Sequence, residues 1–179
     1  MSASAIVLEE LRQRLGESTK DLKLNISTVL STSSLAEADR FTVAICSAYF
    51  LKSATLVKSL VAEAGDRISS QHIEDAKAAA AIMAMNTVYY RFRHMVGNEA
   101  YSQLRAGLRM QRISKPDTSK ATFELCSIAC AALAGCEACV QSHEASLIKE
   151  NVREEQIHDA VRIAAVVSGF QTALFAEEL

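Results

Sequence analysis

The chain has 179 residues, half of them hydrophobic but only 6% aromatic and none Trp, so its core must be built mainly from Ala, Leu, Ile and Val, which suits closely packed helices. With 19 basic and 21 acidic side chains the net charge is −2, which excludes the electrostatic footprint expected of a protein that binds nucleic acid or an anionic membrane surface. Small molecules and protein partners remain.

Met1 to Glu10 carry no basic n-region and no cleavage motif, and no long apolar run is free of charge. A cytoplasmic protein with no membrane span is expected. One proline, Pro116, and six glycines interrupt the chain, and no alternating strand pattern is present, so the fold class expected is all-α in a single domain over residues 1–179. In chain order the predicted helices are Ser4 to Leu15, Lys20 to Leu30, Leu35 to Leu51, Ser53 to Ala64, Ser70 to Phe92, Asn98 to Ala106, Lys120 to Ala134, Cys136 to Glu150 and Arg153 to Glu177. Ala38, Phe41, Ile45, Ala48 and Tyr49 form one apolar stripe, and Ile157, Ala160, Val161, Ala164, Val167 and Leu174 form another; both need partners. Asn151 followed by Glu154 has the spacing of a capping box, and Pro116, Asp117 and Ser119 punctuate the start of the segment leading to the cysteines. Gly107 to Ser119 is the best candidate for a long connector, read as a hinge between two structural halves.

At an offset of 84 residues the halves share a faint pattern: Ile73, Asp75, Ala76, Ala80 and Ala81 against Ile157, Asp159, Ala160, Ala164 and Ala165, with Cys46 and Ala48 against Cys130 and Ala132. A duplicated helical unit is expected, an N-terminal scaffold repeat over about residues 35–92 and a C-terminal catalytic repeat over about 119–176. At this offset Lys52, Thr55 and Ser59 stand where Cys136, Cys139 and His143 stand.

Cys136-Glu137-Ala138-Cys139, with His143 four residues on, is the motif that carries chemistry. On a helix, positions 136, 139 and 143 share one narrow face, so both sulfurs and the imidazole can point into one pocket. If Gly135 bends the chain, both cysteines fall in the first turn of a new helix, where free N–H groups and the dipole favour thiolate. Glu124 on the preceding helix could fold back to orient and charge-balance His143; its bland reading is a solvated or capping acid. Together these groups suggest a thiol peroxidase cycle in which His143 helps form the Cys139 thiolate, peroxide converts it to sulfenic acid, and Cys136 closes a disulfide that an external dithiol reduces.

Other readings of the motif stay open. Half a zinc site would lack a fourth ligand, a thioredoxin-like motif would need a βαβ context, and haem attachment would need His where Val140 stands. A structural pair of core cysteines is the remaining alternative. Cys46, Cys126 and Cys130 read as buried inert thiols. His72, His94 and His158 have no Cys or carboxylate at ligand spacing and read as surface or interface residues. Arg91, Arg93, His94, Arg105, Arg109 and Arg112 flank the connector, either as a solvated face or as a docking surface for an acidic partner or another subunit.

Across nearly its whole length the chain resembles the alkylhydroperoxidase D family, helical proteins grouped with carboxymuconolactone decarboxylases. The resemblance rests on Lys20-Asp21-Leu22-Lys23-Leu24-Asn25, on Ala81-Ile82-Met83-Ala84-Met85-Asn86 with Tyr90-Arg91, on Gly107-Leu108-Arg109-Met110, on Phe123-Glu124-Leu125 and on Gly135-Cys136 through His143-Glu144. It implies an all-helical homotrimer in which Cys139 is peroxidatic, Cys136 completes a Cys136–Cys139 disulfide, and Glu124 and His143 relay protons. It also implies reduction by dihydrolipoamide on a dihydrolipoyl acyltransferase domain, recharged by dihydrolipoamide dehydrogenase, and a role in reducing the peroxiredoxin alkyl hydroperoxide reductase C. No metal, haem or flavin is expected. Some members carry His immediately before the second cysteine, where this chain has Ala138. A disulfide reductase serving a peroxiredoxin, with little peroxidase activity of its own, and a non-catalytic zinc-binding helical module are the alternative functions.

Overall fold

The computed structural model describes residues 7–179, and among these the regular secondary structure is helical throughout, with no strand. The helices are α1 (Leu8–Arg14), α2 (Lys20–Ser31), α3 (Glu37–Phe50), α4 (Ala54–Ala64), α5 (Ser70–Met95), α6 (Ala100–Gln103), α7 (Gln111–Ser114), α8 (Lys120–Leu133), α9 (Glu137–Lys149) and α10 (Glu154–Ala176), with 3-10 turns at Glu17–Thr19 and Gly65–Arg67. The all-α expectation holds. Ser4 to Ile6 of the first predicted helix lie outside the described residues.

α3 and α8 form the centre. The sequence predicts a stripe on α3, but Phe41 through Ala48 are all buried, and so are Thr122 through Ala131 of α8. Helices buried on every side must be apolar all round, and their many Ala, Cys and Ser side chains let neighbouring backbones come close. α3 packs on α4, α5, α8 and α10, while α8 packs on α3, α5, α9 and α10. α10 is long and apolar enough, by length and composition, to cross a membrane; here its apolar side is spent against α2, α3 and α8, with Phe170 fully buried.

Helix ends follow local chemistry. Ser53 and Ser119 side chains accept hydrogen bonds from the N–H groups of Leu56 and Thr122, capping α4 and α8. α3 and α9 close with paired bonds in which Lys52 and Asn151 take left-handed φ values of 60° and 61°. Ser53 N–H donates to Ala48 O, and Val152 N–H to Leu147 O, each at 3.0 Å. Asn151 therefore ends α9 and does not cap α10. At the start of α10, Gln156 Oε1 accepts from the Arg153 N–H at 3.1 Å.

Two predicted elements differ. α6 is one turn, not Asn98 to Ala106, because Ala100 through Gln103 are exposed and a helix this short is not sustained without burial. The connector contains α7 and is pinned by a buried carboxylate. Asp75 accepts from Arg112 Nε at 3.0 Å, from the Asp117 N–H at 3.1 Å, and from the Thr118 N–H and hydroxyl at 2.8 and 2.7 Å. That makes it an anchored strap, where a hinge was expected.

A second carboxylate mirrors the first. Asp159 on α10 accepts from the Ser34 N–H at 2.6 Å and from the Ser34 and Ser33 hydroxyls at 2.8 and 3.0 Å. Asp75 of the N-terminal half thus fixes the loop before α8, and Asp159 of the C-terminal half fixes the loop before α3. Helix bounds repeat at 83 residues for α3 and α8 and at 84 for the starts of α5 and α10. By their caps, Ser53 stands where Cys136 stands, so Leu56, Leu60 and Phe41 occupy the places of Cys139, His143 and Glu124. The sequence match instead put Lys52, Thr55 and Ser59 there. Phe41, Leu56 and Leu60 are buried core.

Candidate redox site

α8 ends because Gly135, at φ 63°, reverses the chain: its N–H donates to Ala132 O at 3.0 Å and the Cys136 N–H to Ala131 O at 3.1 Å. No atom lies within 4 Å of where a Gly135 Cβ would be, so glycine is needed for backbone conformation and not for space. Cys136 becomes the N-cap of α9, and Cys139 is the third residue of its first turn. A disulfide joins the two, with their Cα atoms 5.3 Å apart. Cys139 thus sits in the first turn of α9, where backbone N–H groups lack intrahelical acceptors and the helix dipole is positive.

His143 is one turn further along α9. Its Nδ1 donates to Glu124 Oε2 at 2.6 Å, and Glu124 is 4% exposed on α8. The carboxylate fixes the ring orientation and tautomer, leaving Nε2 as the nitrogen free to exchange a proton.

Two cavities flank the disulfide. One, of about 450 Å³, is bordered by Cys139, His143 and Glu124 and walled by Met83, Tyr90 and Ile113, so α5 and the strap containing α7 complete it. The other, of about 420 Å³, is bordered by Cys136, Arg91, Met95, Glu137 and Gln141. Sequence spacing placed both sulfurs and the imidazole in one pocket. The structure puts Cys139 with His143 on one side and Cys136 on the other, because the N-cap residue leaves its helix in an extended conformation.

The sequence reading missed two wall residues. His94, read as a surface residue, is exposed yet borders both cavities. Asn86, also at the Cys139 cavity, is 6% exposed and its Oδ1 has no hydrogen-bond partner. Neither lies at a short helical spacing from the cysteines, so no local signal could have found them. Of the basic groups near the connector, Arg91 donates to Ala134 O at 2.5 Å, Arg93 to Ser102 O at 2.7 Å, and Arg112 to Asp75 and Asp117. Arg105 and Arg109 are exposed. His72 accepts from the Ser69 N–H at the start of α5.

Cys46, Cys126 and Cys130 are fully buried. The Cys46 and Cys130 sulfurs lie 3.5 Å apart. Burial raises the Cys46 thiol well above its ordinary value, and its contact with Cys46 together with burial does the same to Cys126. Both are poor nucleophiles in the folded protein. A larger cavity, about 640 Å³, lies between α1, α2, α3 and α4. Its Arg12 pairs with Glu9 and its Arg67 with Glu37 and Glu63, and its lining includes no cysteine or histidine. Among the described residues, no three His, Cys, Asp or Glu side chains converge as metal ligands.

A profile of the carboxymuconolactone decarboxylase family matches residues 99–179, the part that contains the cysteine pair. The chain is 46% identical over 172 residues to a protein of an Anaeromyxobacter species named alkyl hydroperoxide reductase AhpD, covering 96% of this chain and 93% of that one. It is 42% identical to a protein of the same name from Rhodospirillum centenum, covering 95% and 91%. A Streptomyces griseus protein, also so named, is 40% identical and covers 96% and 97%. With identity of this order running through both halves, the chain belongs to the AhpD family, within the wider carboxymuconolactone decarboxylase group.

Proposed function

We propose that the protein is an antioxidant thiol peroxidase that reduces alkyl hydroperoxides through Cys139 and Cys136. The observation that carries this reading is Cys139 in the first turn of α9, bordering one cavity with His143, whose ring is held by buried Glu124. His143 takes the Cys139 proton and Glu124 supports the resulting charge. The thiolate attacks the terminal peroxide oxygen, the O–O bond breaks, and the departing alkoxide takes the proton back from His143 and leaves as alcohol. Cys136 then attacks the Cys139 sulfenic acid, expelling water and forming the disulfide. The names of the relatives support the substrate class.

The reductant in this proposal is dihydrolipoamide carried by a dihydrolipoyl acyltransferase domain and recharged by dihydrolipoamide dehydrogenase, and the protein regenerates the peroxiredoxin alkyl hydroperoxide reductase C. It works in the cytoplasm with no bound metal, haem or flavin. A homotrimer is part of the same reading, supported by the exposed apolar residues Val88, Phe92 and Leu104 around α5 and α6. Residues 1–179 act as one unit, with the N-terminal half as scaffold.

The test is thiol counting by mass spectrometry. Of the five cysteines, the reduced protein should lose two free thiols to one equivalent of alkyl hydroperoxide. Cys139→Ser should lose peroxide consumption, while Cys136→Ser should stop at a trappable sulfenic acid. Full multiple turnover by Cys136→Ser would refute the two-cysteine cycle. Turnover that appears only when peroxiredoxin is added would assign the protein to disulfide reduction instead.

A further inference from the structure

The disulfide has two sides, and they differ. Cys139 borders a cavity that already contains the His143–Glu124 pair. Cys136 borders the other, where the polar neighbours are Arg91, His94, Glu137 and Gln141. Arg91 is committed to Ala134 O, and Glu137 accepts from Gln141 at 3.1 Å. His94 remains, an exposed imidazole with no hydrogen-bond partner in the structure, and among the described residues it is the one titratable side chain that borders both cavities.

Cys136 is 1% exposed and Cys139 7%, so a reductant must enter a cavity to reach either sulfur. The choice between them is decided by the leaving group. Attack on Cys136 expels Cys139, whose thiolate is held by the first turn of α9 beside His143, whereas attack on Cys139 expels an N-cap thiolate that has no such pair. Thiol–disulfide exchange favours the better-stabilised leaving thiolate. The Cys136 cavity also suits a thiol on an apolar arm: Met95, 78% exposed, forms its lip, and its volume is of small-molecule size.

We propose that the Cys136 cavity is the entrance for a small dithiol, which attacks Cys136 while His94 takes its proton; this rests on the peroxidase reading above. One thiol gives its proton to His94, its sulfur bonds to the Cys136 sulfur, and the bond to Cys139 breaks with the electron pair leaving on Cys139. The second thiol then attacks the first sulfur of the reductant, closing a cyclic disulfide and expelling the Cys136 thiolate, which recovers the proton from His94. The second thiol's proton passes to Cys139. The dithiol loses two electrons and the protein disulfide gains them.

The experiment separates the half-reactions in the full-length protein. Oxidised protein is mixed with excess 2-mercaptoethanol, quenched in acid and alkylated with a maleimide, and the adducts are mapped by peptide mass spectrometry. The mercaptoethanol adduct is expected on Cys136 with the maleimide on Cys139; the reverse pattern overturns the entrance. In stopped flow, His94→Ala should slow reduction by dihydrolipoamide about tenfold, slow oxidation of the reduced protein by hydroperoxide to a clearly smaller extent, and have its reduction rate partly restored by added imidazole. His94→Gln, which keeps polarity without a proton to exchange, should be slow as well. Wild-type reduction rates in both variants, equal slowing of both half-reactions, or no response to imidazole would overturn the role of His94. Wild-type protein that is inert to hydroperoxide and to dithiol alike would instead refute the peroxidase reading beneath it.

Discussion

At the scale of single residues, the site depends on a tertiary contact between Glu124 and His143. Glu124→Gln keeps the volume and an acceptor oxygen but removes the charge that supports a protonated His143. The expected outcome is a fall of about 10²-fold in the peroxide step, with the melting temperature little changed, measured by single-turnover kinetics and thermal denaturation. Cys139 and His143 were legible in the sequence because their relation is set inside one helix, where spacing fixes direction; Cys136 was legible as part of the motif, but its direction was not, since it stands at the N-cap outside the helix. Glu124 was legible only as a possibility, and His94 and Asn86 not at all, since α5 meets α9 through packing that no local period encodes. The buried thiols offer a control: iodoacetamide applied to the folded, oxidised protein should leave Cys46, Cys126 and Cys130 unmodified.

Among the elements, three left-handed residues end α3, α8 and α9, and only one is glycine. Gly135→Ala should cost about 1 kcal/mol, since the strain lies in the backbone and not in the surroundings. It should also disturb the first turn that holds Cys139, so slower oxidation is expected alongside a lower denaturation midpoint. Lys52→Gly at the matching turn after α3 should stabilise the protein by a few tenths to 1 kcal/mol, read from the midpoint of a urea titration. The long helices were legible because each carries apolar residues at helical period between clear stop signals, and α5 runs on to Met95 until Gly97 intervenes. The strap was not legible. Its order comes from Asp75, whose contacts lie 37 to 43 residues away in sequence.

On the scale of the whole molecule, Asp75 and Asp159 tie the halves together in opposite directions. Burial alone would raise the Asp159 carboxyl, but the Ser34 N–H and hydroxyl, Arg162 and the Ser33 hydroxyl together bring it down to about 2. A carboxyl lowered on folding contributes stability above its unfolded value near 4, and that contribution is lost as pH falls towards 2. Asp159→Asn should therefore destabilise the protein at neutral pH by about 1 kcal/mol after allowance for solvent screening, with the difference from wild type shrinking below about pH 4. Chemical denaturation at several pH values would show it. The offset between halves was visible in the paired Asp and Ala residues, but the one-residue shift at the caps was not, because it arises between the starts of α9 and α10, where α9 is longer than α4 and the link after it shorter, and Ala matches alone do not fix register. The crossed carboxylates also bear on protein engineering. A shortened version keeping only the cysteine-bearing half would leave Asp159 without its serines and the inward sides of α8 and α10 wetted, so the redox centre cannot be transplanted as a free-standing cassette.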